Sequence, residues 1–254
     1  MFVRLVFALR GFAFAAVALA SLSCANKPPS GGAGTYRGVL VGTSQIGILE
    51  ITVANASSGP LPASGTIELG GTVVSLSGTL DRSNASISLS SADGYQLTGV
   101  SRPTYVFGTY SHGTQDAGSF ALFLESANSD PISLFCGSFV DTSTTATLPS
   151  TPLPFGVTVT TSGAALCVTP GFAWFGSMDK NETLTCQSGG GLFYGNVNAD
   201  GGNNWGTGTD DQGNGDYGTW TLAPCGGSAG TDGGVDGGAM DGGAGDGTAG
   251  GATD

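Results

Sequence analysis

The stretch GTGTDDQGNGDYGTWTL at residues 206–222 decides the fold, because an equivalent stretch occurs upstream in the same chain. GT at 108–109 matches GT at 206–207, and GSFAL at 118–122 matches GTWTL at 218–222. Each copy consists of two alternating segments around a polar, glycine-containing turn, which is the pattern of a β-hairpin. The duplication therefore predicts a chain that folds the same sheet-forming unit twice.

The repeat extends over most of the chain on either side of this hairpin. We expect copy one at 35–125 and copy two at 133–225. Further matches at a near-constant offset pair 64–65 with 162–163, 78–82 with 176–180, and 84–89 with 181–186. The agreement is poorest at the second strand of each unit, where the copies carry different loops.

Apolar and polar residues alternate along most of each copy, which predicts short β-strands. Ala85, Ile87 and Leu89, for example, alternate with serines. No segment inside the copies has the helical period. The strands of copy one are expected near 36–42, 46–54, 64–69, 72–80, 84–90, 94–101, 104–110 and 117–124.

The predicted fold class is all-β, with two tandem antiparallel meanders of about eight short strands each. We expect each meander to close as a small barrel, because closure removes the exposed edge strands. A sandwich of the same strands is the alternative. The copies could also merge into one larger sheet, but we expect two packed units. A barrel of this size is just wide enough to be filled by side chains or to hold one small ligand.

Composition and charge limit the partners. Charged residues make up 10% of the 254 residues, well below the roughly 25% of an average soluble domain. Serine, threonine and the 46 glycines supply the polarity instead, which suits short strands joined by tight turns. The formal net charge of −12 repels phosphate backbones, so we expect no nucleic-acid partner.

The first residues have the features of an export signal. Arg4 and Arg10 precede an apolar segment at 11–22, which is shorter than a membrane span. Small residues at Ser21 and Ser23 favour cleavage before Cys24, so residues 1–23 are expected to be a signal peptide.

The Leu22-Ser23-Cys24 ending resembles the lipobox of bacterial lipoproteins, although Ser21 stands where that family usually has leucine. The resemblance implies that Cys24 is acylated, becomes the mature N-terminus and holds the protein at a membrane. In that family an uncharged residue after the cysteine, here Ala25, goes with the outer membrane. The predicted location is therefore the cell envelope, anchored in the outer membrane by lipid, with secretion as the alternative.

Two segments outside the copies lack any apolar periodicity. Residues 24–34 are expected to form a flexible tether behind the lipidated cysteine. Residues 226–254 consist almost wholly of glycine, alanine, aspartate, threonine and serine, so burial cannot offset the cost of ordering the backbone. We expect a disordered tail, because its Asp-Gly-Gly units lack the regular spacing of a calcium-binding repeat.

Five cysteines in an exported chain leave one unpaired if the others form disulfides. Lipidation of Cys24 would account for the odd one. In an up-and-down meander, strand parity places Cys136 with Cys225 at one rim and Cys167 with Cys186 at the other. The second pair stands on strands that flank a third and are about 9.5 Å apart within a sheet. A disulfide tolerates only about 7 Å between Cα atoms, so this bridge is expected only if the intervening strand begins below the rim.

No set of residues indicates catalysis, and we expect neither an enzyme nor a cofactor. His112 is the only histidine and is expected to be an exposed turn residue. The acidic turn at 210–216 resembles half of a calcium loop but lacks the glutamate at the twelfth position. The cysteines lack the spacing of a metal site, so no metal is expected.

Aromatic residues are the one hint of a binding surface. Most of them are expected in the barrel cores, with Trp220 replacing Phe120. The adjacent pairs Trp174-Phe175 and Phe193-Tyr194 place one ring on each face of a strand, so some rings must face outward or into a cavity. These four residues are the candidate site for a glycan, peptide or protein ligand. The expected function is a non-catalytic binding or structural role, with a lipocalin-like carrier of a small apolar ligand as the alternative.

Overall fold

The computed structural model describes residues 31–114, 116–125, 131–142, 151–188, 191–197, 206–211 and 217–226. Strands and turns account for the regular structure of these ranges. The expected signal peptide, Cys24, most of the tether and nearly all of the tail lie outside the described residues.

The first eight strands form a closed antiparallel barrel, barrel 1, in which each strand pairs with the next along the chain. They are β1 (Gly34–Gly42), β2 (Ile46–Val53), β3 (Leu61–Leu69), β4 (Thr72–Asp81), β5 (Ser86–Ser90), β6 (Tyr95–Ser101), β7 (Tyr105–His112) and β8 (Asp116–Leu124). Pairing of β1 with β8 closes the barrel. All eight strands predicted for copy one are confirmed.

The remaining strands repeat this arrangement as barrel 2. They are β9 (Ser133–Asp141), β10 (Leu153–Val159), β11 (Ala164–Thr169), β12 (Phe172–Met178), β13 (Thr183–Ser188), β14 (Gly191–Val197), β15 (Gly206–Asp211) and β16 (Tyr217–Pro224). Pairing of β9 with β16 closes this second barrel. The all-β class and two separately closed barrels are confirmed. The two alternatives, a sandwich and one merged sheet, do not form.

The two barrels have the same strand register. Gly38 of β1 pairs with Leu49 and Leu122, and Gly137 of β9 pairs in the same way with Phe155 and Leu222. A Cβ atom on either glycine would collide with a carbonyl oxygen of the closing strand, that of Ala121 or that of Thr221. In both barrels, the first and last strands therefore approach each other closely at an equivalent glycine, where a side chain would not fit.

The register corrects two parts of the predicted alignment. The match of GT at 108–109 with GT at 206–207 is wrong, because Gly108 pairs with Phe120 and the residue that pairs with its counterpart Trp220 is Gly208.

The second correction concerns the third strand of each barrel. Residues 64–65 lie inside β3, whereas 162–163 lie in the turn before β11. Pairing around the barrel instead makes Ala63 the counterpart of Ala165, because both stand opposite matching glycines, Gly78 and Gly176. The β3–β4 hairpin is longer than the β11–β12 hairpin. Matching the sequences at a near-constant offset therefore paired residues that are not structurally equivalent.

The turn after the fourth strand begins in the same way in both barrels, although it is one residue shorter in barrel 2. Asp81 accepts a hydrogen bond from the backbone N–H of Ser83 at 2.6 Å, and Asp179 accepts one from Asn181 at 2.8 Å. The pKa of Asp179 lies below its usual value, chiefly because the backbone N–H of Thr183 also donates to its carboxylate. These aspartates are turn formers, as the sequence predicts.

The same turn contains a non-glycine residue in the left-handed region in each barrel. Ala85 has φ 57° and Glu182 has φ 62°. Each carbonyl accepts a 2.8 Å hydrogen bond from the backbone N–H at the end of the sixth strand, Ser101 in barrel 1 and Val197 in barrel 2. A conformation that L-residues rarely adopt is thus retained in both copies.

The barrel interiors are separate apolar cores. Barrel 1 is filled mainly by aliphatic side chains, with Tyr36, Tyr95, Tyr110 and Phe120 among them. Burial raises the pKa of Tyr36 above its ordinary value, although its hydroxyl donates to the carbonyl of Gly32 at 3.0 Å. Barrel 2 contains more rings, including Phe139, Phe155, Phe193 and Trp220.

A third apolar cluster joins the barrels. The outer face of β1 and β8 contributes Val39, Val41, Ala121 and Phe123, and the outer face of β11 contributes Leu166 and Val168. Gly156 of β10 lies over the two valines, so a Cβ added there would be 2.9 Å from Val39 Cγ2 and 3.0 Å from Val41 Cγ2. We call this cluster the inter-barrel contact.

Substitution of Gly156 tests this contact. We expect Gly156→Ala to lower the free energy of unfolding by about 1–3 kcal/mol, because an added methyl group overpacks a close approach between two rigid sheets. Chemical denaturation measures the change. Gly171→Ala is the matched control, since a Cβ at Gly171 meets nothing within 4 Å. Equal stability of the two variants would contradict the packing described.

Candidate functional site

Both predicted disulfides form, and both lie in barrel 2. Cys136 of β9 bonds to Cys225, just after β16, with Cα atoms 5.1 Å apart. This bridge lies outside the barrel wall, against the inter-barrel contact. Cys167 of β11 bonds to Cys186 of β13, with Cα atoms 6.2 Å apart.

The Cys167–Cys186 bridge was expected only if the strand between the two cysteines began below the rim, and this condition is wrong. β12 begins at Phe172 opposite the last residue of β11, and its Trp174 pairs directly with Cys167. The bridge instead crosses the inner face of β12, where curvature of the barrel brings β11 and β13 together. Gly176 keeps that face clear, because a Cβ there would overlap Cys186 Sγ. Both cysteines are buried in the core.

The four candidate aromatic residues do not form one cluster. Trp174 and Phe193 face the interior of barrel 2, with ring centroids 5.2 Å apart. Phe175 and Tyr194 face outward and are each about half exposed. The sequence correctly places one ring on each face of each strand, but the structure divides the residues between the core and the surface.

Phe175 bridges the two barrels. Its ring meets Tyr105 edge-on at 4.7 Å and Phe107 at 6.5 Å, and both of these residues lie on β7 of barrel 1. Aromatic pairs with this geometry add about 0.5–1.5 kcal/mol beyond burial alone. Phe175 is therefore an extension of the inter-barrel contact, and Tyr194 is the outward ring that the structure leaves most open among the four.

The rings inside barrel 2 form a connected set. Phe155 stacks on Phe193 at 4.6 Å and meets Trp220 at 5.9 Å. Phe139 packs edge-on against Phe193 at 5.6 Å. The Nε1–H of Trp220 is buried and has no hydrogen-bond partner in the part of the chain that the structure describes. An unpaired buried donor costs about 1–3 kcal/mol, so this group calls for an explanation.

Three clefts lie along the junction of the barrels and at their rims. The largest of these three, of about 360 Å³, lies between the start of β2, the β3–β4 turn and the Cys136–Cys225 bridge. The second, of about 300 Å³, is lined by Arg37, Ile132 and residues beside the same disulfide. The third, of about 260 Å³, lies between Thr104 and Thr160. None of these three clefts lies inside a barrel.

His112 ends β7 rather than lying free in a turn, which corrects the expectation of an exposed residue. Its ring stacks on Tyr95 at 4.0 Å, nearly parallel, and its Nε2 lies 3.0 Å from the carbonyl oxygen of Asp93. Both interactions hold the imidazole against the rim of barrel 1.

Within the described ranges, no group of three or more His, Cys, Asp or Glu side chains is arranged to hold a metal ion. The acidic turn at 210–216 lies mostly outside the described residues. The described segments also contain no helix with the length and apolarity needed to cross a membrane.

Three residues of barrel 2 that sequence reasoning did not single out are prominent in the structure. Phe172 is the most exposed large apolar residue described, at 66%. Asp141 and Thr169 are buried polar residues on the inner face. The sequence does mark Asp141, because this residue interrupts the apolar alternation at the end of β9. Phe172 and Thr169 flank a two-residue turn, and no sequence pattern marks either of them.

Substitution of Gly176 tests the disulfide geometry. In a Cys24→Ala background, we expect Gly176→Ala to leave two thiols that react with an aromatic disulfide reagent after denaturation, because the added methyl occupies the position of Cys186 Sγ. The parent should show none. Gly171→Ala, in open space, is the control. A fully oxidised Gly176→Ala protein would show that the bridge follows another path.

No family model, curated protein or solved structure matches this chain. The two barrels are nevertheless related to each other in strand register, as the pairing of Gly38 and of Gly137 shows. Differences between equivalent positions of the two barrels are therefore the most informative guide to what barrel 2 does.

Proposed function

We propose that this chain is a cell-envelope lipoprotein, anchored through Cys24, whose double barrel is a non-catalytic binding or structural domain. The observation that carries the proposal is the pairing of the other four cysteines into two disulfides. Cys24 is then the one cysteine of five left over, and it stands at the lipobox-like end of the leader.

The disulfides support the cell envelope as the location. Such bonds persist in oxidising compartments outside the cytoplasm. Cys136 and Cys225 are 89 residues apart in sequence, so their bridge closes most of barrel 2. Acylation of Cys24 gives the left-over thiol a chemical role, and several acyl chains together anchor a protein stably, whereas one chain does so only marginally.

The non-catalytic role is supported by the state of the residues that could act in chemistry. His112 is held by Tyr95 and by the Asp93 carbonyl, and Asp81 and Asp179 are engaged in turns. The alternative of an apolar carrier requires space within a barrel. Barrel 1 offers little, because Tyr95 and Tyr110 are buried at its end.

Metabolic labelling tests the anchor. When the full chain is expressed in a bacterium that is fed radioactive palmitate, we expect the label on the protein and the protein in the membrane fraction. Cys24→Ala should abolish both, because the thiol is the acceptor. Ser21→Ala is the matched control, since it keeps a small residue in the leader and leaves Cys24 intact. An unlabelled parent protein, or label that survives in Cys24→Ala, would overturn the proposal.

A further inference from the structure

The last residues of the expected tether are packed against one end of barrel 1, and we call this packing the tether contact. Gly31 is buried, and a Cβ atom added to it would overlap Ser101 Oγ and lie 2.7 Å from the carbonyl oxygen of Arg102. The hydroxyl of Tyr36 donates to the carbonyl of Gly32 at 3.0 Å. The N-terminal segment is therefore fixed to barrel 1 beside the β6–β7 turn.

The tether contact determines which end of barrel 1 lies nearest to Cys24. β1 begins at this end, so the turns after β2, β4 and β6 also lie there, and we call this end the tether rim. The backbone N–H of Glu125, just after β8, donates to the carbonyl of Thr35 at the same end, at 2.8 Å. The turns after β1, β3, β5 and β7 form the opposite rim.

The chain between Cys24 and the tether contact is short. Only the six residues 25–30 separate Cys24 from Gly31, and a peptide spans at most about 3.6 Å per residue, so Gly31 lies within about 25 Å of Cys24. β6 connects the two rims, and its seven residues span about 20 Å at the rise of a β-strand. A bilayer that holds Cys24 would reach the opposite rim only if residues 25–30 ran almost fully extended along the barrel wall.

Arginines distinguish the tether rim. Its three turns contain Arg82 and Arg102 and no acidic residue. Arg82 is exposed, and its Nη2 donates to the carbonyl of Ala56 in the β2–β3 loop at 3.4 Å. Asp81 and Glu125 lie at the ends of the adjoining strands, so the tether rim as a whole is close to neutral.

The opposite rim is acidic. Its four turns contain Asp93 and no lysine or arginine. Glu68 lies beside the β3–β4 turn, and Asp116 begins β8 at this end. The whole chain has a formal net charge of −12, so a surface of anionic phospholipid repels most of the protein. This repulsion is weaker at the tether rim than at the opposite rim.

We propose that the tether rim of barrel 1 lies against the phospholipid headgroups of the membrane that anchors Cys24, and that the opposite rim points away from that membrane. This inference rests on the proposed lipid anchor and adds the orientation of the folded domain. The partner is a bilayer with anionic headgroups, whose phosphate oxygens accept hydrogen bonds from the guanidinium groups of Arg82 and Arg102. The tether contact and the charge difference select the same rim independently.

Energy transfer to the membrane surface tests the orientation. The acylated full chain is placed on vesicles of phosphatidylethanolamine and phosphatidylglycerol that contain a rhodamine-labelled headgroup. A fluorescent maleimide is attached to Ser83→Cys in the β4–β5 turn or to Ala92→Cys in the β5–β6 turn, where both residues are exposed. Once Cys24 is acylated, the parent has no free thiol, because its other four cysteines are bridged.

The label at the tether rim should lie closer to the headgroups. We expect energy transfer from Ser83→Cys to exceed that from Ala92→Cys about twofold, because β6 holds the two rims about 20 Å apart. Equal transfer from the two labels, or stronger transfer from Ala92→Cys, would overturn the orientation. Circular dichroism verifies that both labelled proteins keep the parent fold.

Two glycine substitutions test whether the tether contact sets the orientation. Added to each labelled protein, Gly31→Ala should reduce the difference in energy transfer between the two rims, because the methyl group overlaps Ser101 Oγ and displaces the tether. Gly32→Ala is the matched control and should leave the difference unchanged, since a Cβ at Gly32 meets nothing within 4 Å. An equal difference in the Gly31→Ala and Gly32→Ala proteins would contradict the role of the tether contact.

The outcomes separate this inference from the anchor proposal, because palmitate labelling is measured on the same proteins. A chain that carries no palmitate overturns the anchor and, with it, the orientation. A palmitate-labelled chain that binds the vesicles but shows equal energy transfer from both rims overturns the orientation alone.

Discussion

Packing of the outer face of β1 and β8 against β10 and β11 is the interaction that makes two barrels one body. Val39, Val41, Leu166 and Val168 are almost completely buried there. Each such side chain contributes about 1.5–3 kcal/mol when buried, so the four together contribute on the order of 6–12 kcal/mol. That is comparable to the roughly 5–15 kcal/mol stability of a whole domain. Separated barrels would expose this surface to water, so each barrel depends on the other.

The inter-barrel contact joins different faces of the two copies, so the same contact could in geometry add further copies. A head-to-tail contact between similar units can continue into a filament. In copy two the positions of Val39 and Ala121 are occupied by Ser138 and Thr221, as the shared register shows. In copy one the position of Gly156 is occupied by the exposed Glu50. Polar residues at both outer faces thus disfavour addition of a further unit.

The two copies differ in the polarity of their interiors and in their cysteines. Barrel 1 contains no cysteine and has a closed, apolar interior. Barrel 2 buries Asp141, Thr169 and an indole N–H of Trp220 that has no partner among the described residues, and it also contains both disulfides. A disulfide typically stabilises by about 2–4 kcal/mol, which offsets the roughly 1–3 kcal/mol cost of an unsatisfied donor. The stabilisation from the two bridges is therefore large enough to offset the cost of the more polar interior of barrel 2.

Much of the fold could be predicted because strand alternation and the repeat agreed with each other. The eight strands of copy one and the pairing of Cys136 with Cys225 followed from period and parity. The inter-barrel contact was missed, although unbroken apolar runs at 38–41 and 120–124 are typical of strands buried on both faces. The route of the Cys167–Cys186 bridge depended on barrel curvature, and the exposure of Phe172 depended on the length of the β11–β12 hairpin. Local patterning encodes neither of them.

Equilibrium unfolding followed by two probes tests most directly whether the barrels form one cooperative body. Tryptophan fluorescence reports on barrel 2 alone, because Trp174, Trp205 and Trp220 all lie in copy two, whereas far-ultraviolet circular dichroism reports on both barrels. The account predicts that the two signals change together in one transition as guanidinium is added. Two separate transitions, with barrel 1 unfolding apart from the tryptophan signal, would contradict it.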